Sequence, residues 1–322
     1  MPVTHRQYGA HNPGAPKVAP GSFHATPARA PNIIQTKGAG LRGALEPISG
    51  AVIGFGRALS RGGLDRAMRE LEIGPAELWT LINVETRGAG YLSNRLPVIL
   101  FERHIFSRQT GGRFDAVAPD ISNPRFGGYL GNEREYPRLV RAAELDYEAA
   151  LRSASWGLGQ VLGVNAESLE YIDAAAMVTL MRQSENDQLN AVIRFLLTND
   201  LGPLLRDHQW TEFARRYNGP RFADNSYDIR MATEFEKFAA GAVPNVEVRA
   251  VQLYLTYLNF DPRGVDGIFG ARSRAAVADF LTSRGVPTAP DDVVEEMAAD
   301  LIPRLESEAA LLPDMWPLMP PR

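Results

Sequence analysis

Glu85 occupies a position where the sequence pattern calls for an apolar side chain. Leu78, Leu81 and Ile82 recur at helical spacing, and Glu85 takes the next step of the same stripe. We expect burial at the inner edge of this stripe to disfavour the charged carboxylate and to raise its pKa. A carboxylic acid that stays protonated near neutral pH can act as a general acid. The alternative is an exposed Glu near the helix end, paired with Arg87.

The helix that carries Glu85 is bounded by residues that start and end helices. Gly74-Pro75 interrupts a short helix predicted over 64–71, and Pro75 suits the first turn of the following helix. Gly88 and Gly90 are expected to end that helix. Glu85 is therefore predicted in the last turn of a helix, just before a glycine-rich loop.

The rest of the first 240 residues reads as mainly helical, with one irregular insertion. Residues 107–136 hold many Gly, Pro, Asn and Asp residues, which favours turns or short hairpins, and long irregular segments are often functional. A short extended segment is predicted over 96–102, and helices over 137–153, 173–199, 210–216 and 227–240.

Composition excludes several function classes. The chain has 322 residues, 45% of them hydrophobic, and a formal net charge of −4, with no basic stripe of the kind that binds nucleic acid. It has no cysteine, which excludes disulfides, thiol nucleophiles and thiolate metal sites. Residues 1–30 lack the apolar core of a signal peptide, and the apolar stretch 48–56 is too short to span a membrane. We expect no nucleic-acid partner, no membrane insertion, no metal and no cofactor.

The two ends of the chain differ in charge. Residues 1–49 carry five basic residues and one acid, whereas residues 286–322 carry eight acids and two arginines. The N-terminal segment is rich in Pro, Gly and Ala and is predicted to be an extended arm. Its three histidines have irregular spacing and no acidic neighbours, so solvated side chains are favoured over a metal site. They are His5, His11 and His24.

Two further motifs follow Glu85 along the chain. Ser155-Trp-Gly-Leu-Gly-Gln160 is a glycine-rich turn that ends in a glutamine, and Tyr217-Asn-Gly219 ends a predicted helix. Each motif alone is common in turns and helix ends. In this order, with helices between them, the three motifs resemble those of the lysozyme-like superfamily, in its goose-type and lytic-transglycosylase branches.

The resemblance becomes more specific over residues 64–240, which look like the N-acetylmuramidase domain of modular phage endolysins. The matching segments are Val84-Glu-Thr-Arg-Gly88, Ile99-Leu-Phe-Glu-Arg-His104, Gly127-Gly-Tyr129, Ala149–Gln160, Ser184-Glu-x-x-Gln-Leu189 and Arg216-Tyr-Asn-Gly219. The resemblance implies a mainly α fold, namely a lysozyme-like helical domain with a small β or irregular insertion. It also implies cleavage of the β-1,4 bond between N-acetylmuramic acid and N-acetylglucosamine in peptidoglycan, with Glu85 as the catalytic acid.

The neighbours of Glu85 can be given roles, with alternatives left open. Gln160 could bind an N-acetyl or hydroxyl group, or it could satisfy backbone groups of its own turn. Tyr217 could hydrogen-bond Glu85 or line the cleft, or it could be a core aromatic with a solvated hydroxyl. Asn218-Gly219 is expected to form a left-handed turn, with any substrate contact secondary. The predicted substrate-binding residues of this domain are Asn218, Trp156 and Tyr129.

A second catalytic carboxylate is harder to assign. Glu102 could position a water molecule, although a structural ion pair with Arg103 is favoured. The separation of the two carboxyl groups would distinguish inverting from retaining chemistry, and sequence does not provide it. Without a second carboxylate, a lytic transglycosylase reaction becomes an alternative. His104 is expected to be a satisfied structural histidine, and weaker candidates for the second acid are Asp115, Asp120 and Glu185.

Residues 246–286 resemble the common three-helix peptidoglycan-binding domain. The most specific part is Gly264-Val-Asp-Gly-Ile-Phe-Gly270, which lies between predicted helices over 246–258 and 273–284. Gly267 and Gly270 permit turn conformations that are closed to other residues, and Asp266 can cap backbone amides. Val265, Ile268 and Phe269 are expected to anchor the loop to the helices. Asp266 and Phe269 are the predicted substrate-binding residues, and the alternative is a helical cap on the main domain.

The predicted organisation has four parts. They are an N-terminal arm (1–60), a lysozyme-like catalytic domain (61–242), a small three-helix wall-binding domain (246–286), and an acidic helix with a Pro-rich tail (287–322). A wall-binding domain raises the effective substrate concentration at a linked catalyst.

The leading hypothesis is a wall-degrading enzyme with peptidoglycan as its partner. Without a signal peptide, it would accumulate in the host cytoplasm before release to the cell wall. It could instead be carried on a phage virion, with residues 1–50 contacting tail, baseplate or injection-machine proteins. The alternatives are a lytic transglycosylase, or an inactive wall-binding or baseplate protein that keeps the fold.

Overall fold

The structure is a computed structural model that describes residues 56–86, 88–219, 222–241 and 243–318. Residues 1–55 of the predicted arm (1–60), with its three histidines, and Arg87 lie outside the described residues. The described part is mainly helical with one small sheet, as the sequence predicts. None of its helices is long and apolar enough to cross a bilayer.

The helices and strands follow each other in a simple order. The α-helices are α1 (Arg61–Leu71), α2 (Pro75–Thr86), α3 (Arg103–Gln109), α4 (Glu135–Leu145), α5 (Tyr147–Arg152), α6 (Ala174–Met181), α7 (Glu185–Thr198), α8 (Gly202–Arg206), α9 (Trp210–Tyr217), α10 (Tyr227–Ala240), α11 (Val246–Tyr257), α12 (Ala271–Ser283), α13 (Glu295–Asp300) and α14 (Ile302–Ala310). The strands are β1 (Ile99–Phe101), β2 (Ala154–Trp156) and β3 (Val161–Leu162). Short 3-10 turns cover Asn132–Arg134, Gly163–Asn165, Glu167–Leu169, Phe222–Asn225 and Pro290–Asp292.

Two predicted long helices are each divided by a capping residue. The segment 137–153 divides into α4 and α5 because the Asp146 side chain accepts a hydrogen bond from the Ala149 amide at 3.0 Å. The segment 173–199 divides into α6 and α7 because Ser184 accepts from the Asp187 amide at 3.1 Å. A side chain that caps a helix N-terminus satisfies amides that have no partner in the preceding turn. The apolar periodicity of the sequence continues through both breaks, so it does not reveal where one helix ends and the next begins.

The sheet is antiparallel in the order β1-β2-β3. Ile99 pairs with Trp156 and Phe101 pairs with Ala154. Hydrogen bonds extend this register at both ends, since the Gly157 amide donates to the Val98 carbonyl at 2.8 Å and the Glu102 amide donates to the Ser153 carbonyl at 2.8 Å. The turn after β2 and the residue after β1 therefore lie at opposite ends of the sheet.

The domain formed by α1 to α10 is organised around helix packing. α2 packs along α10, and α1 packs along α7, around a continuous apolar core. The predicted stripe on α2 is buried, with Leu78 and Leu81 each 1% exposed. The buried face of α10 contains Tyr227, Met231 and Phe238. This packing sets the last turn of α2 against the first turn of α10.

The C-terminal module contains α11 to α14 around a second apolar cluster. Gln252 on α11 fixes the loop before α12, because its Oε1 accepts from the amides of Asp266 and Gly267, both at 2.9 Å. Gly267 has φ +72°, and a Cβ there would lie 2.8 Å from the Asn245 carbonyl, so glycine is required. Asp266 caps the Ile268 amide at 2.9 Å, as predicted.

Two details of this loop differ from the sequence prediction. Gly270 has φ −97°, which any residue can adopt, so it is not needed for its backbone conformation. Ile268 is 62% exposed and does not anchor the loop. Val265 and Phe269 do pack against the apolar cluster, as expected.

A buried ion pair joins the C-terminal module to the domain formed by α1 to α10. Arg249 on α11 is 1% exposed, and it binds both carboxylate oxygens of Glu185, which is fully buried. Glu185 also accepts from the amides of Gly90 (2.8 Å) and Leu59 (2.9 Å). Arg249 Nη2 donates to the Gly88 carbonyl at 2.6 Å. The loop that follows the Glu85 helix is thus fixed by a side chain from the other module.

The tail after α14 returns to the domain formed by α1 to α10. Arg95 donates to the carbonyl of Pro313 at 2.9 Å, and Arg182 binds Asp314 at 2.7 Å. The Arg182 guanidinium lies 4.1 Å from the Trp316 ring centre, a cation–π distance. Leu318 is 3% exposed and belongs to the apolar core of the same domain.

Candidate active site

Glu85 is buried, with an exposed fraction of 4%. Burial raises the pKa of Glu85 to about 7, against the opposing effects of a hydrogen bond from Tyr227 and the charge of Arg230. This is the raised pKa that the position in the apolar stripe predicts, and the exposed alternative is wrong. The carboxyl group is substantially protonated at neutral pH.

Tyr227 is the direct partner of Glu85. Its hydroxyl, at the start of α10, donates a short hydrogen bond to Glu85 Oε1. Because Oε1 accepts this bond, Oε2 is the oxygen that remains available to carry the acidic proton. Tyr227 is 1% exposed, and burial together with Glu85 raises the pKa of its phenol well above the ordinary value.

Tyr227 was not among the sequence-predicted site residues, although a signal for it exists. Tyr227, Met231 and Phe238 form the buried face of α10, and a tyrosine on such a face needs a partner for its hydroxyl. Glu85 on α2 and Tyr227 on α10 are both polar groups on otherwise apolar helix faces, so a contact between them could have been predicted from the sequence.

Tyr217 lies beside this pair but does not bond Glu85. Its hydroxyl donates to the Gly159 carbonyl at 3.2 Å. Its ring lies 6.3 Å from that of Tyr227 and 5.2 Å from that of Phe213, stacked at 26° and 11°. Of the predicted alternatives, the aromatic packing role fits, with a hydroxyl bonded to a backbone carbonyl.

Gln160 satisfies backbone groups around its own turn. Its Nε2 donates to the carbonyls of Gly157 (2.9 Å) and Val98 (3.3 Å), and its φ of +49° is left-handed. This is the structural alternative that the sequence left open, and its amide nitrogen is used within the protein.

The same turn is tied to the loop after α2 by Gln188 on α7. Gln188 Oε1 accepts from the Leu158 amide at 2.8 Å, and its Nε2 donates to the Gly90 carbonyl at 3.3 Å. Gln188 and Glu185 thus explain the Ser184-Glu-x-x-Gln segment: both side chains hold Gly90.

Asn218 and Gly219 end α9 beside Tyr217. Gly219 has φ +84°, the left-handed turn that the motif predicts. Asn218 is 3% exposed, and within the described residues its Nδ2 atom has no hydrogen-bond partner. A buried amide donor without a partner carries a desolvation cost.

Glu102 lies in a second polar cluster. It is 1% exposed, its Oε2 accepts from the Tyr129 hydroxyl at 2.7 Å, and His104 Nδ1 lies 3.2 Å away. The predicted ion pair with Arg103 is wrong, since the Arg103 guanidinium instead lies against Gly128, where a Cβ would be 2.8 Å from its Cζ. Burial raises the pKa of the Tyr129 phenol, and Glu102 adds to this effect.

His104 is not the satisfied histidine that the sequence predicts. The approach of Nδ1 to Glu102 lacks hydrogen-bond geometry, and among the described residues neither ring nitrogen has a hydrogen-bond partner. Its ring packs 5.4 Å from Phe126.

Glu102 lies at the opposite end of the sheet from the turn beside Tyr217. Gln160 and the Tyr217 hydroxyl contact the turn beyond β2, at the Val98 end, whereas Glu102 follows β1 at the other end. Extended chain rises ~3.3 Å per residue, so Val98 and Glu102 are about 13 Å apart along the strand. This placement gives no support to Glu102 as the direct catalytic partner of Glu85.

The other candidate acids have structural partners. Asp115 accepts from the Ser107 hydroxyl at 3.0 Å, Asp120 pairs with Arg141 at the surface at 2.6 Å, and Glu185 holds Arg249. Desolvation opposes the charge of Glu185, yet Arg249 and the two amides lower its pKa overall.

Two predicted substrate-binding aromatics differ in exposure. Trp156 is fully buried, its Nε1 donates to the Leu151 carbonyl at 3.0 Å, and its ring packs 6.1 Å from Trp316. A side chain without exposed surface cannot contact a glycan, so the structure argues against this prediction. Phe269 is partly buried against the core of the C-terminal module, while Asp266 is exposed.

Within the described part of the chain, no group of three or more His, Asp or Glu side chains is placed to hold a metal ion. The described site consists of a protonated carboxyl group, a phenol that orients it, and a layer of stacked rings. Such a site suits proton transfer to a leaving oxygen.

Comparisons with known proteins agree with this fold. An N-acetylmuramidase family model matches residues 74–239, more than half of the 322-residue chain. A peptidoglycan-binding domain model matches residues 244–288. The solved structure of the Burkholderia AP3 phage endolysin matches with 37% identity and a TM-score of 0.54, covering 58% of this chain and 73% of that one. A search of curated proteins finds no match.

The fold and its two modules define a peptidoglycan hydrolase. The chain belongs to the N-acetylmuramidase family, and it carries a C-terminal peptidoglycan-binding domain.

Proposed function

We propose that the protein is an endolysin-type N-acetylmuramidase that hydrolyses the β-1,4 bond between N-acetylmuramic acid and N-acetylglucosamine, with Glu85 as the general acid. The observation that carries the proposal is the buried Glu85 carboxyl group, with a pKa raised to about 7 and Oε1 held by Tyr227. The family match and the similarity to a phage endolysin support the substrate.

The mechanism follows from the state of this carboxyl group. Protonated Glu85 donates from Oε2 to the glycosidic oxygen as the bond to the anomeric carbon breaks. The resulting carboxylate is stabilised by the Tyr227 hydrogen bond and the nearby Arg230 charge, which are the two effects that lower its pKa. It can then accept a proton from the attacking water, so one group serves as acid and then as base.

A second candidate reaction is lytic transglycosylation, in which the 6-hydroxyl of muramic acid replaces water. The observation that favours it concerns the groups that act on Glu85. Among the described side chains, Tyr227 and Arg230 are the groups that shift the Glu85 pKa, and neither is a carboxylate that could position water. Glu102 lies at the far end of the sheet, as described above.

The test of the acid is Glu85→Gln, with Glu70→Gln as a matched control on the exposed face of α1. We expect Glu85→Gln to lower the rate of lysis of purified peptidoglycan by about 10²–10⁴-fold. Glu70→Gln should retain wild-type lysis, and both variants should keep the wild-type circular dichroism spectrum. Unchanged lysis by Glu85→Gln would contradict the acid role, whereas absence of lysis by the wild-type protein would favour an inactive wall-binding protein.

Mass spectrometry of the released glycans separates the two reactions. Hydrolysis gives reducing muramic acid ends, which borohydride reduces. Lytic transglycosylation gives 1,6-anhydromuramic ends that borohydride does not reduce. If these ends predominate, the protein is a lytic transglycosylase and the proposed hydrolysis is wrong.

A further inference from the structure

A cavity of about 430 Å³ lies where the two modules meet. One wall consists of the last turn of α2 and the exposed face of α10, including Val84 and Arg230. The other wall is the loop before α12, with Val265 and Asp266. The cavity is therefore adjacent to Glu85 and is shared between the catalytic domain and the wall-binding module. Its volume is within the usual range for small-ligand sites.

The lining of the cavity is charged with both signs. Arg230, Glu234 and Asp266 line it, together with the Asn83 amide. The apolar part of the lining is aliphatic, and among the described residues no aromatic ring belongs to it, so these residues lack the flat apolar surface on which a sugar ring packs. A ligand with both an amino group and a carboxylate, and with short aliphatic side chains, matches this lining better than a pyranose does.

Each acid in the cavity is fixed through one oxygen atom. Glu234 Oε2 accepts from Asn83 Nδ2 at 2.8 Å and from the Lys237 ammonium at 3.3 Å. Asp266 Oδ1 accepts from the Ile268 amide and from Gln252 Nε2, both at 2.9 Å. In the part of the chain that the structure describes, the second oxygen of each carboxylate accepts no hydrogen bond. Carboxylates that are already oriented can bind an ammonium group with little loss of side-chain entropy.

The two walls are held in register by the buried ion pair. Arg249 binds Glu185 and the carbonyl of Gly88. Gly88 is itself one of the residues that line the cavity. Across the junction, a Cβ at Gly88 would lie 3.7 Å from the Val265 carbonyl. The cavity is thus part of a fixed contact between the modules.

We propose that this cavity binds the stem peptide of peptidoglycan, with the amino group of its diamino acid at Glu234 and Asp266 and a peptide carboxylate at Arg230. The proposal rests on the proposed function, because the stem peptide is attached to the muramic acid of the strand that Glu85 cleaves. The wall-binding module then contributes directly to the recognition of the substrate beside the cleaved bond.

The first test is a direct binding measurement that does not depend on cleavage. A synthetic stem tripeptide with a diamino acid in third position and a free C-terminal carboxylate is titrated into the full ¹⁵N-labelled protein. We expect saturable shifts of the Gly88, Gly267 and Ile268 amides, and weaker binding after acetylation of the peptide's side-chain amine. Absence of saturable shifts at these amides, or equal binding of the acetylated peptide, overturns the proposal.

The second test compares two substrates with the variants Glu234→Gln and Asp266→Asn. The control is Asp261→Asn, an exposed acid in the same loop region that pairs with Arg263. The substrates are intact peptidoglycan and glycan strands freed of peptide by an amidase. We expect the loss of kcat/KM for each cavity variant to be roughly fivefold greater on intact peptidoglycan, as for loss of a partly exposed ion pair.

The outcomes of the second test are distinct. Equal losses on both substrates, or the same ratio for Asp261→Asn, would overturn the peptide site. Failure of the proposed function is recognised separately, because Glu85→Gln would then retain lysis whatever the peptide titration shows.

Discussion

The Tyr227 hydroxyl donates a hydrogen bond to Oε1 of Glu85, and both side chains are buried where α10 meets α2. The bond favours the carboxylate, and burial favours the acid. Burial is the larger effect, so the pKa of Glu85 is raised to about 7 instead of remaining near 4.5. Removing either effect should move the pH dependence of activity in a known direction.

Tyr227→Phe should shift the alkaline limb of the pH–rate profile upward. The substitution removes a hydrogen bond that lowers the Glu85 pKa, so the acid should stay protonated to higher pH. In the wild type, activity should fall as pH rises through about 7. The measurement is kcat/KM for turbid peptidoglycan from pH 5 to 9, and a limb that moves to lower pH would be inconsistent with this arrangement.

Tyr217→Phe is the matched comparison for that experiment. The Tyr217 hydroxyl bonds the Gly159 carbonyl, so its removal should leave the pH limb in place. The loss of one hydrogen bond should lower the free energy of unfolding by about 1 kcal/mol. Urea unfolding measures the stability, and the same pH series measures the limb. If Tyr217→Phe shifted the pH limb as much as Tyr227→Phe does, the conclusion that Tyr227, and not Tyr217, is the tyrosine that acts on the Glu85 pKa would be wrong.

Glu85→Gln should change how stability depends on pH. The folded-state pKa of Glu85 is raised, so folding favours the protonated form, and its stabilising effect is fully present below the unfolded-state pKa near 4.5. Wild-type stability should therefore fall between pH 4.5 and about 7 by about 3 kcal/mol relative to the variant. Urea titrations at pH 4, 6 and 8 measure the difference, and parallel pH curves for the two proteins would show an unperturbed carboxyl group.

Arg249→Met should destabilise the protein strongly. It leaves the Glu185 carboxylate buried without its charged partner, which costs about 3–5 kcal/mol. Arg249→Met combined with Glu185→Gln should recover part of that loss, since no buried charge remains. Arg263→Met, which removes a surface partner of Asp261, is the control and should change stability by less than about 1 kcal/mol. Equal stability of the single and double variants would contradict the role of the buried charge.

Residue spacing was sufficient to predict the mainly helical fold, the buried position of Glu85 and the left-handed turn at Gly219. These features depend on local periodicity and on backbone conformations that few residues adopt. The partner of Glu85 could not be read in the same way, because Tyr227 is 142 residues away in sequence and the contact depends on helix packing. The Tyr-Asn-Gly motif pointed to Tyr217 as the partner of Glu85, but the Tyr217 ring packs against Tyr227 and does not bond Glu85.

The misassigned residues share a physical reason. Arg103 follows Glu102 directly in sequence, but successive side chains project in different directions, and Tyr129 reaches Glu102 from the irregular segment. Trp156 belongs to a motif that contributes a turn to the site, yet its own ring points into the core beneath Trp316. Membership of a matching segment does not fix the direction of each side chain.

The buried contact between Arg249 and Glu185 has a consequence for how the enzyme moves over the wall. Two domains on a flexible linker explore a range of separations, so a bound anchor would permit cuts at many positions. Here the buried ion pair fixes the wall-binding module directly against the catalytic domain. We therefore expect the distance between the bound stem peptide and the cleaved bond to be constant. Each new cleavage would then require the enzyme to dissociate from the wall and rebind.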